Sequence, residues 1–549
     1  RYRHGDQQGC HLCVNSPSVR QYTMGLIRMG LEAGADGNVI EGLRVETGNC
    51  YCEWCRFRFI EWLGNTYGAV DLKTKLGITD VRSVVPPTKP DAPLRVAWRG
   101  FAAWSLADFI DAMKSYGESL NPNYILTARF GLPNGEPFSS LRSRALDLEQ
   151  WSASQDVVFA ESRYGTGPRT EAGVRVSNSS EYRYLAAASR GKAFTFLEPA
   201  PATDSPRGRS ALARLAIAES VASGGSRPCN GLAPEAQRAT AAYHAFLKRR
   251  ESVLTRLRPW SPVRIWASLQ QAYHRVATFP MPCSRYLADR HIPHLMITDR
   301  DILEDDLGQV EALILPTVRI VSSRQLQALR RLTERGLGLI LIGPCATHDE
   351  WGNVRDESWI SRALAVEGTW PGEPRRIDVG RGRLAYLPGV PLPEAANAGL
   401  PEEGKAGLRD LAPSIAHVSR RSLPAATDPT ANVEISIAYD GGNTLLVHVV
   451  NYGVGLDGAV EAETALPIKV RLPKGKSVKR AVFVSPDEDT PSHWLPFTVL
   501  TPGPARYVEA VIPGLDVYGQ IEYELSDEKP IWDRLPVLQV AQEGSAAPG

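Results

Sequence analysis

Short apolar runs alternate with helical stretches from residue 16 to residue 343, and this alternation constrains the fold more than any other feature of the chain. Ser16 can cap a helix over residues 16–33, Pro17 sits where a missing N–H costs nothing, and Tyr22, Ile27 and Leu31 fall near one apolar stripe. Gly34 and Gly37 end that helix. Residues 35–43 read as a short buried strand, and a second helix is predicted over Arg56 to Asn65. The unit then repeats. Ser105 to Tyr116 is helical in pattern, residues 124–127, 156–159 and 192–197 are strands, and Ala211 to Ala222 is again helical. Apolar strands separated by amphipathic helices imply a parallel sheet covered by helices.

The register resets around Arg258-Pro259-Trp260-Ser261-Pro262. Strands at 263–267, 313–316 and 338–343, with a helix from Ser322 to Glu334 stopped by Gly336, predict a small doubly wound unit. Beyond a linker rich in Gly, Pro and Ala, the helical period disappears. Residues 433–437, 444–450, 468–472, 478–484 and 506–511 are short strands separated by turn residues, the pattern of an antiparallel sandwich. The expected division is 1–258, 259–395, a linker at 396–430, a sandwich at 431–540 and a frayed tail at 541–549. A chain of 549 residues needs such a division, since domains run to roughly 100–200 residues.

Composition narrows the functional classes. Lys and Arg total 62 against 61 Asp and Glu, and no basic block stands out to track a phosphate backbone, so nucleic acid is not an expected partner. No apolar run approaches the roughly 20 residues of a membrane span. Residues 1–6 are too polar for a signal-peptide core, and the compartment is not legible.

Five of the eight cysteines, Cys10, Cys13, Cys50, Cys52 and Cys55, crowd into the first tenth of the chain. Cys50, Cys52 and Cys55, on a loop entering a helix, can converge on one tetrahedral cation, with Cys10 or Cys13 as fourth ligand. Four sulfurs leave no open position for water, so the expected zinc is structural and no catalytic cofactor is expected. The bland reading is reduced cysteines packed as small hydrophobes, with Tyr51 and Trp54 as core.

Gly48-Asn49-Cys50-Tyr51-Cys52-Glu53-Trp54-Cys55, followed by Phe59, Glu61-Trp62-Leu63 and Thr66-Tyr67-Gly68, resembles the cysteine cluster and following helix of glycoside hydrolase family 42 β-galactosidases. Residues 192–198 resemble the strand that carries that family's nucleophilic Glu, and Leu215 to Gly225 resembles the helix leading into its last barrel strand. Residues 263–343 are similar to its trimerisation domain and the final strands to its β domain. The fold class implied is α/β: a (β/α)8 barrel of the TIM type, then a flavodoxin-like doubly wound domain and a C-terminal antiparallel β-sandwich. Residues 1–37 leave room for only the end of one unit before the strand at 35–43, so the barrel is expected to be N-terminally incomplete and the chain to be a truncated or processed product.

The resemblance also implies site residues. Glycosidic cleavage needs one carboxylic acid to protonate the leaving oxygen and one carboxylate to attack the anomeric carbon, both at the C-terminal ends of barrel strands. Glu198, ending an apolar strand before Pro199-Ala200-Pro201, takes the nucleophile's place. The family's strand ends in Asn-Glu where this one reads Val39-Ile40-Glu41-Gly42-Leu43, which leaves Glu41, Glu46 or no residue as acid/base. Glu41 is alternatively an ion-pair partner of Arg44 or Arg163. Glu161, and Arg163 beside it, would line the same rim and bind sugar hydroxyls, or form a structural ion pair. The activity implied is retaining hydrolysis of terminal β-linked sugars from an oligo- or polysaccharide by a homotrimer; the other class is a carbohydrate-binding or scaffold relative without catalysis. Two weaker patterns stay structural. Gly343-Pro344-Cys345-Ala346-Thr347-His348 lacks the sharp turn of a nucleophile elbow because of Pro344, and His291-Ile292-Pro293-His294 reads as a turn.

Overall fold

The computed structural model describes residues 12–43, 50–87, 94–132, 137–162, 167–197, 202–227, 232–304, 307–389, 407–488, 492–501 and 505–527. The stretch read as a tail lies outside them, as do Cys10, Glu46, Arg44, Arg163 and Glu198. No helix among the described residues is long and apolar enough to cross a membrane.

The first unit opens with α1 (Pro17–Glu32), β1 (Gly37–Ile40), α2 (Glu53–Thr66) and α3 (Arg95–Leu120). It continues with β2 (Ile125–Leu132), β3 (Val158–Ser162), α4 (Ser179–Ala188), β4 (Phe194–Leu197), α5 (Pro206–Ala222) and α6 (Pro234–Arg249). Strands β1 to β4 form one parallel sheet in chain order, extended at the far side by a parallel bridge between Thr195 and Ser226. The complete turn of a barrel is not seen; among the described residues this sheet is open.

Its two faces differ, as the period of two requires. Leu126, Ala128, Phe130, Leu132, Val158, Ala160 and Phe196 are fully buried in the core shared with α3 and α4, while Thr127, Arg129, Phe159 and Glu161 on the other face are half-buried. Gly37 permits the β1–β2 pairing, since a Cβ there would stand 2.0 Å from the Ile125 carbonyl oxygen. Helix α3 begins ten residues earlier than the predicted Ser105. Its added turns carry Trp98 and Phe101, which pack on Phe59 of α2 with ring centroids 4.9 and 5.3 Å away.

The second unit contains β5 (Val263–Trp266), α7 (Pro280–Asp289), β6 (Leu295–Ile297), β7 (Ala312–Pro316), α8 (Ser323–Arg335), β8 (Gly338–Ile342), β9 (Arg375–Val379), β10 (Gly382–Leu387) and α9 (Leu411–Ser419). The sheet order is β9-β10-β8-β7-β5-β6, parallel except for the β9–β10 hairpin. Ser322 closes a capping box with Gln325 at the start of α8. Helix α9 lies in the stretch read as linker; its Val418 fills the space beside Gly338, where a Cβ would meet the Val418 side chain at 2.5 Å.

The third unit is two antiparallel sheets facing one core. It comprises β11 (Val433–Tyr439), β12 (Thr444–Asn451), β13 (Glu463–Arg471), β14 (Lys476–Val484), β15 (Tyr507–Leu515) and β16 (Tyr518–Asp527), with shorter strands at the edges. Strand β16, which the sequence pattern did not reveal, lies between β12 and β14 in the middle of its sheet.

Buried charge joins the three units. Arg183 of α4 donates to Glu434 of β11 at 2.5 Å, and both side chains are almost wholly buried. Ser179 donates to the other Glu434 oxygen at 3.0 Å, and Arg183 also donates to the His294 carbonyl just before β6. Arg175 adds a pair to Asp289 at the end of α7 and a bond to the Val433 carbonyl. Burial opposes ionisation of Glu434, but Arg183 and Arg175 outweigh it and hold the carboxyl down at about 2. Arg183→Met, which strips Glu434 of its closest cation, should cost about 3–5 kcal/mol, and adding Glu434→Leu should recover much of that; scanning calorimetry of the first unfolding transition reads both.

Glu219 of α5 behaves oppositely. Burial pushes its carboxyl up to about 7, against hydrogen bonds from the Tyr452 hydroxyl and the Asn178 N–H, both 2.8 Å. Its ordinary value is 4.5, so folding takes up a proton between the two values, and the stability it contributes is complete below 4.5 and lost as pH rises through about 7. Glu219→Gln should flatten that fall by about 3 kcal/mol, measured as urea unfolding of wild type and variant across the interval.

Candidate functional site

The half-buried face of the first sheet carries charge at the C-terminal ends of its strands. Glu41 follows β1 directly, Arg129 lies in β2 and Glu161 in β3. The Arg129 guanidinium stands between the two carboxylates. Its Nη1 donates to both Glu41 oxygens at 3.0 and 3.1 Å, and its Nη2 meets Glu161 at 2.5 Å. It also lies over the Phe159 ring, 5.5 Å from the centroid. The hydrogen bond to Glu161 raises the Arg129 guanidinium above its ordinary range, against partial burial, and Glu41 adds to the rise. Parallel register fixes this geometry, because Arg129 pairs with Phe159, and Glu161 with Leu197, the residue before Glu198.

Glu41 and Glu161, both named from the sequence, are thus brought together, and their partner in the structure is Arg129. The pairings expected with Arg44 and Arg163 involve residues outside the described set, as do Glu198 and Glu46. The sequence pattern ends this strand at Thr127 and so passes over Arg129. The signal was present: Leu126, Ala128, Phe130 and Leu132 alternate with Thr127, Arg129 and Gly131, a period of two that continues to the end of β2.

A second cluster gathers where the chain enters α1 and α2. The sulfurs of Cys13, Cys50, Cys52 and Cys55 all lie within 4.8 Å of one another. Cys13 is 3.6 Å from Cys52 and 3.4 Å from Cys55, and Cys50 is 3.7 Å from Cys52 and 3.4 Å from Cys55. Four sulfurs bound tetrahedrally at about 2.3 Å would stand about 3.8 Å apart, so the set has the dimensions of a zinc site. The fourth sulfur here is Cys13; Cys10 lies outside the described residues. Hydrogen bonds from Cys13 and Cys55 hold the Cys50 thiol well below its ordinary range, and the bond with Cys50, with burial, raises the Cys13 thiol above its own. Asn15 donates to the Cys55 sulfur at 3.4 Å, and Tyr51 stacks on Trp98 with centroids 5.5 Å apart, so the cluster is oriented by a polar neighbour and backed by aromatic rings.

The weaker sequence patterns prove structural. Burial pushes the Cys345 thiol up to about 12, and its S–H donates to the Leu315 carbonyl, so it is no nucleophile. His291 and His294 are buried and spend ring nitrogens on the Val433 carbonyl and on Ser284 and the Ile292 carbonyl.

No family model matches the chain. In sequence it is 27% identical over 267 residues to the β-galactosidase BgaH of Haloferax lucentense, a match covering 44% of this chain and 40% of that protein. It is 26% identical over 184 residues to the β-galactosidase LacZ of Lactobacillus acidophilus, covering 29% and 26%. The matched segments thus span well under two thirds of either relative. In three dimensions it is similar to the β-galactosidase of Bacillus circulans, with a TM-score of 0.61, 13% identity, 93% of this chain and 83% of that one covered. Gan42B, a family 42 β-galactosidase of G. stearothermophilus, matches with a TM-score of 0.59 and 13% identity over 91% and 82%. The partial sequence relation and the three-dimensional match agree: the chain is an α/β protein with the fold of family 42 β-galactosidases.

Proposed function

We propose that the chain is a glycoside hydrolase of β-galactosidase type, removing terminal β-linked sugars from an oligo- or polysaccharide by a retaining, two-carboxylate mechanism. The observation that carries this reading is the row of charged side chains, Glu41, Arg129 and Glu161, at the C-terminal ends of parallel strands, where barrel enzymes hold their chemistry. Glu198 follows Leu197, in register with Glu161, and is assigned as nucleophile; it attacks the anomeric carbon and forms a glycosyl ester. Glu41 is the acid/base, giving its proton to the leaving oxygen and later taking one from water. Glu161 and Arg163 bind sugar hydroxyls, and Arg129 fixes the two carboxylates that it bridges. The homotrimer implied by the resemblance, built through the second unit, is part of the same proposal.

One observation favours the second class, a carbohydrate-binding relative without turnover. Both Glu41 oxygens accept from Arg129, an ion pair that a binding or scaffold site keeps and that an acid/base must give up. A panel of nitrophenyl and alkyl glycosides separates the readings. On the hydrolase reading, β-galactosides turn over, Glu198→Gln lowers kcat by about a thousandfold or more, and Glu41→Gln harms alkyl glycosides far more than nitrophenyl ones, because only the former need protonation as the bond breaks. Galactose binding by calorimetry with no turnover on any substrate would establish the second class.

The thiol cluster fits structural zinc held by Cys13, Cys50, Cys52 and Cys55, with Cys10 as the alternative fourth ligand. With every position filled by sulfur, its role is to tie the entry of α1 to the start of α2. Metal analysis should find about one zinc per chain, Cys13→Ser should lower that content, and a chelator should lower Tm in wild type but little in Cys13→Ser.

A further inference from the structure

A cavity of about 300 Å³ opens where the three units meet. Its walls are largely hydrocarbon: Val221, Leu247 and Leu254 from the first unit, Leu295 from the second, Ile437 from the third, and Trp260 between them. It lies at the end of the first sheet where Ser226 bridges Thr195, near the start of β4, whereas Glu161 pairs with the last residue of that strand.

The polar groups of the walls are mostly spent. Arg183 is matched by Glu434 and bonded to Ser179 and the His294 carbonyl. Both ring nitrogens of His294 are used, by Ser284 and the Ile292 carbonyl, and Ser436 donates to the Ala222 carbonyl. His448 differs. It is 4% exposed, and its Nδ1 lies 2.7 Å from the Tyr518 hydroxyl, which already accepts a bond from Gln520 Nε2 at 2.7 Å. With the Gln520 amide in this orientation, the Tyr518 proton points to Nδ1. Burial, with Arg250 adding to it, holds the His448 ring down at about 3 and so neutral, and this network assigns its one N–H to Nε2. That N–H has no protein partner among the described residues.

We propose that this cavity binds a small, neutral, mostly hydrocarbon molecule that carries one carbonyl-type acceptor, received by the Nε2–H of His448. Apolar walls repay burial of the hydrocarbon, and an otherwise unpaired buried donor favours one acceptor. An anion finds no unmatched cation here, since Glu434 neutralises Arg183. A sugar would bury several hydroxyls with only the His448 Nε2–H and the Trp260 Nε1–H, which is also without a partner, to meet them, so the site is not a sugar subsite and does not rest on the glycosidase reading. Because all three units supply walls, an occupant also ties them together and raises Tm by mass action.

The test uses two fluorinated probes on the full chain, 4′-fluoroacetophenone and its carbonyl-free analogue 1-ethyl-4-fluorobenzene, followed by fluorine NMR line broadening. Saturable binding of the ketone at roughly millimolar concentration or below is expected, about five- to tenfold tighter than the analogue. His448→Phe, which keeps the ring and removes the donor, should bring the ketone down to the analogue's affinity and leave the analogue unchanged. Ala222→Phe, which fills the cavity, should abolish both. The wild-type comparison of the two probes reads the same hydrogen bond without any substitution, so it stands if His448→Phe fails to fold. No saturable binding of the ketone up to its solubility, equal affinity of the two probes for wild type, or ketone binding that survives Ala222→Phe would each overturn the proposal.

Discussion

Arg183 and Glu434 are buried together at the meeting point of three folding units, and the relative placement of those units depends on that pair. Taking two charges out of water costs several kcal/mol per ion, a debt that mutual attraction covers only with good geometry and further hydrogen bonds. Those bonds are present: Ser179 serves Glu434, the His294 carbonyl serves Arg183, and Arg175 adds a second cation that is itself matched by Asp289. Each partner belongs to a different part of the chain. An apolar junction would tolerate sliding, whereas a buried pair that must stay matched permits one arrangement. Helix α4, which supplies Arg183, precedes β4 in the chain, so the fixed junction also helps to set the strand that leads to Glu198.

The first and second units share more than this pair. One continuous apolar core runs from Leu126 and Phe130 through Leu185 to Ile265, Leu287 and Ile340. The apparent reset at Arg258 to Pro262 is therefore a change of sheet more than a break in packing. Arg258 and Pro259 pair with Tyr439 and Ala438 of the sandwich, which threads the connection between the first two units through the third.

Legibility followed periodicity. Helices α1, α2, α5 and α8 and most strands were visible as stripes of period 3.6 or 2, within a few residues of their ends. Strand β16 was not, although it is central, because its polar positions are buried or paired by tertiary structure: Gln520 bonds Tyr518, Glu522 meets Arg250, and Glu524 meets Arg480. The β9–β10 hairpin was hidden by Arg375, Arg376 and Asp378 on an edge strand. In the site, Glu41, Glu161 and three cysteines were legible as residue types at strand ends and in one tight spacing. Arg129 was lost with the second half of its strand. Spacing leaves Cys10 and Cys13 both open, and the approach of Cys13 to the other three sulfurs depends on how α1 packs on α3, a contact between residues far apart in the chain.

The thiol cluster and the charged rim are mechanically related. Asp108 of α3 holds Arg20 of α1 at 2.5 Å and Arg58 of α2 at 2.8 Å, so the three helices around the cluster are pinned to one carboxylate. The cluster then joins the residue that leads into α1, Cys13, to the first turn of α2 through Cys55. Glu41 leaves β1 only nine positions before Cys50. Both ends of that connection are thereby anchored, one by the β1–β2 ladder and the Arg129 bonds, the other by the sulfurs. In the proposed hydrolase, chemistry at Glu41 would need a side chain whose backbone does not wander, and the four-sulfur cluster would serve it by anchoring the start of α2, without touching a substrate.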